Sequence, residues 1–334
     1  MEWNKGYSSS YYMTIINPKT WRDSTRAEIT SASVNRTRDG LRESASIESN
    51  IDQDNVEFWI RIYMDAEQTG SAAHDAIFTG LATTPRRDIE GAFKQSSLEC
   101  YSVLKPADDV NLLRGWYAPA GANGAELVKN LLSVSPAPIS IEGVSNNLET
   151  NIVAEDGETR LSMADKILSI IGWRLRISGD GSISIEPKAS EPYVQFDAID
   201  YDVIEPKVSI SADWFSIPNV FCAIEDATSA IVQNNDPDNP LSIENRGREV
   251  WATESVSGLS EEESIEEYAK RRLEEEQSLA MPVSYTRRYI PDLIPGDIVR
   301  LDYPEQELTG WFEITSQSIE LGYSAATSEE VIAI

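Results

Sequence analysis

The sequence predicts a mainly β protein of mixed α+β class, with two small β-barrels and an attached α/β unit. Short segments in the first and last thirds alternate apolar and polar residues, which is typical of half-buried strands. Segments in the middle carry apolar residues at helical spacing between recognisable caps. The chain has 334 residues, of which 41% are apolar. That length exceeds what a single hydrophobic core usually holds, so several packed units are expected.

The first third contains five strand-like segments: RAEITSASVNRTR, LRESASIESNI, VEFWIRIYMD, AIFTGLATTPRRD and EGAFKQSSLECYSVLKP. In the third of these, one face carries Phe58, Ile60 and Ile62, and the other carries Trp59, Arg61 and Tyr63. Short strands at regular spacing with turns between them favour a small closed barrel. The tyrosine-rich, polar segment 1–20 that precedes them is predicted to be an arm.

Two helices are predicted after residue 111. GAELVKNLLSV places Leu127, Val128, Leu131 and Leu132 on one stripe. In RLSMADKILSIIGW, Ser162 is the predicted N-cap, with Asp165 three residues later, and Gly172 is placed to end the helix. The buried stripe of this second helix is expected to comprise Ala164, Ile167, Leu168 and Ile171.

A hairpin follows the second helix. WRLRISGDGSISIEP alternates Trp173, Leu175 and Ile177 inward, turns at Gly-Asp-Gly and returns through Ile183 and Ile185. Strand-like segments resume with VSISADWFS, NVFCAIED and REVWATESV, and later with VSYTRRY, DIVRLDY and GWFEITSQSIELG. The order of segments therefore predicts helices inserted between strands of the second barrel.

The acidic segment LSEEESIEEYAKRRLEEE predicts one amphipathic helix. Ser260 is the expected N-cap, with Glu263 completing a capping box. Ile265, Tyr268, Ala269 and Leu273 form the expected buried stripe. Two ion pairs at i,i+4 spacing are expected, namely Glu266–Lys270 and Glu267–Arg271. This register directs most carboxylates outward, which favours a solvated helix face over a catalytic or metal site.

The charge balance excludes several functions. Lys and Arg total 28 against 56 Asp and Glu, so the formal net charge is -28. Such a chain repels nucleic acid and anionic membranes, and a phosphate-gripping role is not expected. No apolar run approaches the roughly 20 residues that span a bilayer, so no membrane insertion is expected. The N-terminus lacks the apolar core of a signal peptide.

The residues that could carry catalysis or bind a metal give little support for either function. His74 is the only histidine and is expected to be a surface loop residue, and Cys100 and Cys222 are expected to be free, packed thiols suited to a reducing cytoplasm. A pair of glycosidase carboxylates is possible by number, but no two acids are singled out. Oxygen ligands for calcium stand at Asp236, Asp238 and Asn239, and at Asp52, Asp54 and Asn55. Because Asn, Asp and Pro also dominate ordinary turns, plain loops are the favoured interpretation of both. No catalytic residue, metal site or cofactor is therefore predicted.

The order of several segments resembles that of phage tail hub proteins. These segments are TRAEITSASVNRTRDGLRESASIES, IFTGLATTPRRD, LLRGWYAPAGANGAELVKNLL, RLSMADKILSIIGWRLRISGDGSISIEPK, IPNVFCAIED, NPLSIENRGREVW, SVSGLSEEESIEEYAKRRLEEEQS, IPGDIVRLDY and WFEITSQSIELG. The resemblance extends from about Trp21 to the end of the chain. It includes the contractile-tail baseplate hub and the matching domain of type VI secretion spike proteins.

The resemblance implies a domain plan. It comprises an arm (1–20), a first tube-like barrel (21–110), an α/β domain (111–195 and 236–281) and a second tube-like barrel (196–235 and 282–334). The resemblance also implies a homotrimer whose six barrels continue the tail tube as a pseudo-sixfold ring.

The implied partners are the tail tube or distal tail protein, the tip, spike or fibre proteins, the tape-measure protein, and phage DNA that passes without specific binding. The expected location is the tail tip or baseplate of a virion assembled in the host cytoplasm. Acids on the channel wall would repel passing DNA, although the charge could equally serve solubility.

Two other roles remain open from the sequence. The chain could be a tail module that binds a receptor or cell-wall glycan, or a tail-associated hydrolase. The chain ends soon after its last barrel strand, so a cell-wall-cutting domain is expected on another protein. A structural, non-enzymatic hub is the favoured interpretation.

Overall fold

The computed structural model describes residues 1–3, 5–51, 57–90, 93–197, 204–210, 214–225, 228–256, 263–278, 282–306, 308–322 and 325–334. Within these residues the chain is mainly β, which confirms the predicted fold class. No helix among them is both long and apolar enough to cross a membrane.

Six strands form the first unit, which we call barrel 1. They are β1 (Ser8–Asn17), β2 (Arg22–Thr37), β3 (Glu43–Ser49), β4 (Glu57–Gln68), β5 (Ser71–Glu90) and β6 (Phe93–Ser102). Their antiparallel pairings run β1–β4–β5–β6–β3–β2, and a β1–β2 pairing closes the ring. Closure removes the exposed strand edges that an open sheet would leave. The predicted closed barrel is therefore confirmed.

Part of the predicted arm belongs to this barrel. Residues 8–17 form β1, which pairs with β4 on one side and β2 on the other, so the prediction of an arm over 1–20 is wrong for this segment. Met13 and Ile16 are buried, whereas the Ser and Tyr residues that suggested an arm are exposed or half-buried. Before β1, Tyr7 is buried and donates a hydrogen bond to the carbonyl of Tyr289.

The α/β unit follows barrel 1. It contains α1 (Lys105–Asp108), β7 (Tyr117–Ala118), α2 (Gly124–Leu132), β8 (Ile139–Ile141), β9 (Ile152–Val153), α3 (Arg160–Ile171), β10 (Trp173–Ile177) and β11 (Ile183–Pro187). Helices α2 and α3 pack on the sheet β10–β11–β8. The core of this unit also takes in Ile16 and Trp59 from the outer surface of barrel 1, so the two units share a buried interface.

The predicted apolar stripes of α2 and α3 face the core, with Leu127 and Ile171 only partly buried, but the predicted cap of α3 is wrong. In α3, Ala164, Ile167 and Leu168 are buried and Gly172 ends the helix with a positive φ. The N-cap is Thr159, and Ser162, the predicted cap, occupies the third helical position of the capping box. Thr159 and Ser162 both fit the N-cap preference for a hydroxyl side chain. The helix begins at the earlier of the two, one turn before the predicted start. The predicted partner Asp165 instead accepts a hydrogen bond from Arg42 of barrel 1 at 2.6 Å.

The predicted hairpin β10–β11 is confirmed, and its turn docks on barrel 1. Thr79 Oγ1 donates to the carbonyl of Gly179 at 2.7 Å, and Arg61 Nη2 donates to that of Asp180 at 2.8 Å. The approach is so close that a Cβ on Gly179 would stand 1.8 Å from the carbonyl oxygen of Ala76. Glycine at this position is therefore a requirement of the docking rather than of the turn alone.

The remaining elements are β12 (Pro192–Asp197), β13 (Ile204–Ile210), β14 (Val220–Glu225), β15 (Thr228–Gln233), α4 (Ile243–Arg246), β16 (Trp251–Ser255), α5 (Ile265–Ser278), β17 (Val283–Arg288), β18 (Ile298–Tyr303), β19 (Leu308–Glu320) and β20 (Ala326–Ala333). Six of them form a sheet in the order β12–β18–β19–β20–β17–β13, which we call barrel 2. All six strands contribute side chains to one core. An antiparallel pairing between β19 and β2 joins both barrels into one twelve-stranded sheet.

Strands β14, β15 and β16 form a separate sheet covered on one side by α5, which we call the small unit. Its core contains Phe221 and Leu273 and is distinct from that of the α/β unit. The structure therefore corrects two boundaries: 236–281 does not share a core with 111–195, and β14 and β15, expected in the second barrel, lie outside it. Sequence alternation identified these strands but carries no information about their partners.

Helix α5 keeps its predicted buried stripe, with Tyr268, Ala269 and Leu273 buried. Its cap differs: Ser264 Oγ accepts from the backbone N–H of Glu267, whose carboxylate accepts from the Ser264 N–H at 2.9 Å. The predicted cap Ser260 lies outside the described residues. The predicted pair Glu266–Lys270 is wrong, because Lys270 lies beside Glu274 at 4.0 Å. The predicted pair Glu267–Arg271 is also wrong, because Glu267 serves the cap and Arg271 pairs with Glu263 and Glu275.

Candidate functional site

The candidate functional site is one face of the sheet that runs across both barrels. It carries short polar side chains on five strands: Ser44 and Ser46 of β3; Ser33, Asn35 and Thr37 of β2; Ser316 and Ser318 of β19; Ser328 of β20; Ser284 and Thr286 of β17. Ser209 extends it onto β13. All of these residues are exposed or half-buried. We call this surface the serine face.

Strand register aligns the serine face into rows. One row crosses five strands through Ser44, Asn35, Ser318, Ser328 and Thr286. Thr286 Oγ1 and Ser328 Oγ lie 3.2 Å apart within it. The row passes from barrel 1 to barrel 2 at the β2–β19 pairing without interruption. The two barrels therefore present one continuous polar surface.

Charge on this face is sparse and mainly negative. By strand alternation the face also carries the carboxylates Glu48, Glu99, Glu320 and Glu330, and at its barrel 2 end the bases Lys207 and Arg288. Serine and threonine side chains are short and well hydrated. Unlike lysine and arginine, they carry no positive charge that could hold a phosphate. Such a surface suits contact with a moving polyanion better than capture of one.

A row of buried polar side chains lies on the opposite side of the same strands. Register aligns Glu43, Arg36, Gln317, Glu329 and Tyr285 on β3, β2, β19, β20 and β17. Arg36 Nε lies 2.9 Å from Glu43 Oε1, and Gln317 Nε2 donates to Glu329 Oε1 at 2.6 Å. We call this set the seam row. It lies where the sheet passes between the two barrel cores. Its contacts form two groups, Arg36 with Glu43 and Gln317 with Glu329.

A second buried ion pair completes the seam row. Arg287 of β17 donates to the Glu329 carboxylate, and both side chains are fully buried. Gln317 Nε2 also donates to the carbonyl of Leu293 at 2.8 Å. Hydrogen-bonded groups of this kind hold one strand register, since a slip would leave charges buried without partners.

The seam row predicts a pH-dependent stability. Burial raises the pKa of the Glu43 carboxyl from 4.5 to about 7, against the opposing attraction of Arg36. The folded protein therefore keeps this proton at pH values where the unfolded chain has released it. The contribution of Glu43 to stability is full below pH 4.5 and is lost as the pH rises through about 7.

Urea unfolding between pH 4 and 8 measures this effect. We expect Glu43→Gln to remove part of the fall in the free energy of unfolding with rising pH. Glu48→Gln, five residues along the same strand and on the serine face, is the matched control and should keep the wild-type profile. Identical profiles for Glu43→Gln and the wild type would contradict the assignment.

The sequence candidates for other chemistry are not assembled into a site. His74 lies in β5 and not in the predicted loop; its Nδ1 is 2.6 Å from Asp65 Oδ1 and its ring stacks on Tyr63. Cys100 is buried and Cys222 is partly buried, and both are free.

The two stretches considered as calcium candidates, and interpreted as plain loops, can be tested only in part. Asp236 accepts the backbone N–H of Asp238 at 2.9 Å, as in an ordinary turn. Of the second candidate, Asp52, Asp54 and Asn55 lie outside the described residues. Among the residues that the structure does describe, no three His, Cys, Asp or Glu side chains are grouped to hold a metal ion.

Sequence reasoning missed the serine face, although a signal for it was present. Serine recurs at every second position in TSASVNRT, ESASIES and TSQSIE. Period-two spacing puts these serines on one face of each strand. The sequence does not show that the three strands are neighbours.

Comparisons with known proteins identify the fold. No protein-family model matches the chain, and no curated protein matches it. A tail protein from Neisseria meningitidis MC58 superposes with a TM-score of 0.71 at 14% identity, covering 98% of this chain and 96% of that one. The 43 kDa tail protein of prophage MuSo2 from Shewanella oneidensis gives 0.65 at 12%, covering 97% of each chain.

A type VI secretion component is also similar. The E. coli c3393 protein, described as structurally similar to the T4 bacteriophage tail proteins gp27 and gp5, gives a TM-score of 0.50 at 8% identity. The match covers 92% of this chain and 74% of that one. The chain therefore has the fold of phage tail proteins and of this secretion component, as the sequence resemblance implied.

Proposed function

We propose that this chain is a structural, non-enzymatic component of a phage tail, and that its serine face lines the channel through which DNA passes. The observation that supports this most directly is the continuity of the serine face across two barrels. A channel wall built from several barrels needs one continuous surface with few cations to retain phosphates. On the serine face the cations are confined to Lys207 and Arg288 at the barrel 2 end. The fold shared with tail proteins agrees with this role.

Three copies are proposed to form the ring, with the six barrels side by side and the serine faces inward. The tail tube or distal tail protein would join one end, and tip, spike or fibre proteins the other. The tape-measure protein and then DNA would occupy the bore. Assembly in the host cytoplasm and location at the tail tip or baseplate follow from this role.

Lysine on the serine face tests the channel. Ser46, Ser318 and Ser328 lie on β3, β19 and β20, so they sample both barrels. A triple substitution by lysine would place nine cations in a trimeric bore. Each phosphate contact adds a salt-dependent attraction, with a slope of about 0.9 in log K against log salt. We expect tails to assemble normally and DNA release from purified virions to slow or stall, with partial recovery at high salt.

The matched control is Ser140→Lys, an exposed strand serine on β8 of the α/β unit. It should leave DNA release unchanged. Normal release by the triple variant in fully assembled tails would refute the channel assignment. A ring with a central bore in negative-stain images of the purified protein would support the trimer, whereas binding of cell-wall glycan by the isolated chain would favour the receptor-binding alternative.

A further inference from the structure

Two neighbouring arginines of the small unit converge on one carbonyl group. Arg246 ends α4 and Arg248 lies two residues later, and both guanidinium groups donate to the carbonyl oxygen of Phe215, at 3.1 and 2.6 Å. Arg246 also donates to the carbonyls of Trp214 and Ile217. Within the part of the chain that the structure describes, neither arginine pairs with a carboxylate. We call Phe215, Arg246 and Arg248 the arginine patch.

The arginine patch is unusual in a chain that has twice as many acids as bases. Burial lowers the pKa of the Arg246 guanidinium, and the like charge of Arg248 lowers it further. The Phe215 ring is 78% exposed, and the Arg248 guanidinium lies 4.4 Å from the ring centre. Glu249, next in the chain, instead accepts the Trp251 indole N–H at 2.8 Å. Arginine and aromatic side chains are enriched in protein interfaces, and two cations without carboxylates favour an acidic partner.

The α/β unit exposes a second apolar surface. Tyr117 of β7 pairs with Val153 of β9, so their side chains lie next to each other on one face of this ribbon. Ala118 and Ile152, the pair on the other face, are fully buried. Tyr117 and Val153 are exposed, and Leu113, in the turn before β7, is 82% exposed. Exposed large apolar side chains that lie together indicate a contact site.

This second surface is bordered by carboxylates. Backbone hydrogen bonds on either side place Leu113 opposite the turn 155–157. The turn carries Glu155 and Asp156, both exposed, against one exposed cation close by in the chain, Arg114. Neither of these two acids forms an ion pair among the described residues. We call Leu113, Tyr117, Val153, Glu155 and Asp156 the acidic patch.

The two patches are complementary, and one chain carries both. The arginine patch offers an exposed ring and two cations, and the acidic patch offers apolar side chains and two carboxylates. Both are exposed, so they do not cover each other within one molecule. A contact between two different surfaces of identical subunits runs head to tail and can close into a ring.

We infer that the arginine patch of one copy docks on the acidic patch of the next copy. This inference rests on the proposed ring, to which it assigns one subunit contact outside the barrels. A stable interface buries about 800 Å² per partner, so the barrels must supply a further share of the contact area. The opposite charges of the two patches also fix which surfaces meet, because like patches repel each other.

Charge exchange measures this pairing. Sedimentation of the purified chain over a dilution series gives its self-association. We expect Arg248→Glu and Glu155→Arg each to weaken self-association at least about tenfold, because each places like charges opposite one another. Glu155→Arg also makes the chain less acidic, so general repulsion between copies cannot explain its effect. The double variant carries the exchanged pair and should recover most of the lost affinity.

Lys270→Glu is the matched control for Arg248→Glu. Lys270 is exposed on α5 of the same small unit, and its substitution changes the net charge equally. It should leave self-association within about twofold of the wild type. Thermal unfolding of each variant checks the fold. The Glu155 side chain is exposed at a turn, so Glu155→Arg probes the contact even where Arg248→Glu disturbs the loop that Arg248 holds.

The outcomes separate this contact from the ring itself. Wild-type self-association in either single variant overturns the contact and leaves the ring in place. Losses in both single variants without recovery in the double variant also overturn it, because each patch would then bind some other surface. Absence of any wild-type oligomer at concentrations up to those of tail assembly overturns both proposals. Loss in each single variant with recovery in the double variant supports the contact.

Discussion

Glu329→Ala is expected to lower the free energy of unfolding by about 3–5 kcal/mol, the usual cost of leaving one member of a buried ion pair without its partner. The Arg287 guanidinium beside it is fully buried. The change also removes the acceptor of the Gln317 amide, 2.6 Å away. Arg287 of β17 and Gln317 of β19, on the two strands that flank β20, would then lose this acceptor while remaining buried.

Urea unfolding of the purified variant measures this loss. Glu330→Ala is the matched control, since Glu330 is the next residue on β20 and lies half-buried on the serine face; its effect should stay below about 1 kcal/mol. The double variant Arg287→Met, Glu329→Leu should recover most of the loss, because apolar residues of similar size remove the need for charge pairing. A Glu329→Ala protein as stable as the wild type would show that the pair does not hold the seam.

Asp297→Ala has the second large expected effect. Its carboxylate is 3% exposed and accepts from Arg174 Nη2 at 2.8 Å and from Arg176 Nη1 at 2.9 Å. It also accepts the backbone N–H of Ile294 at 3.0 Å. Both arginines belong to β10 of the α/β unit. Asp297, which directly precedes β18, therefore links the α/β unit to barrel 2. We expect a loss of roughly 2–4 kcal/mol, below the full cost because both arginines retain some exposure.

Hydrogen exchange locates the effect. Protection should fall first in the hairpin β10–β11, while the core strands of barrel 1 keep theirs. Glu186→Ala removes the other carboxylate bonded to Arg174, at 2.7 Å, from a more exposed position and should cost less than about 1 kcal/mol. Equal losses for Glu186→Ala and Asp297→Ala would refute the special role of Asp297.

Local patterns predicted most elements but not their ends. The apolar stripes of α2, α3 and α5 follow from spacing alone, because helical periodicity decides which side chains share a face. The caps were predicted at the wrong residues. The observed caps are Thr159 and Ser264, whereas Ser162 and Ser260, each about one turn away, were predicted because they fit the same N-cap preference. Several hydroxyl residues compete for such positions, and the packing of the helix selects among them.

The candidate surfaces were predictable only in part. Alternating serines marked one face of β2, β3 and β19, yet nothing in that spacing says that β19 pairs with β2. The sheet of the small unit likewise required knowledge that β16 joins β14 rather than a barrel strand. In both cases the paired residues are distant in the chain.

The sequence by itself determined the mainly β class, the strands with their inward and outward faces, the helices and their buried stripes, and the overall acidity. These properties depend on periods of two and 3.6 residues and on composition, which neighbouring residues specify. Only the tertiary structure decided that residues 8–17 close barrel 1, that β2 joins β19, and that Arg36, Gln317 and Glu329 form one buried row. Strand pairing joins segments hundreds of residues apart, and which pairing forms depends on burial and hydrogen bonding across the whole chain rather than on any local pattern.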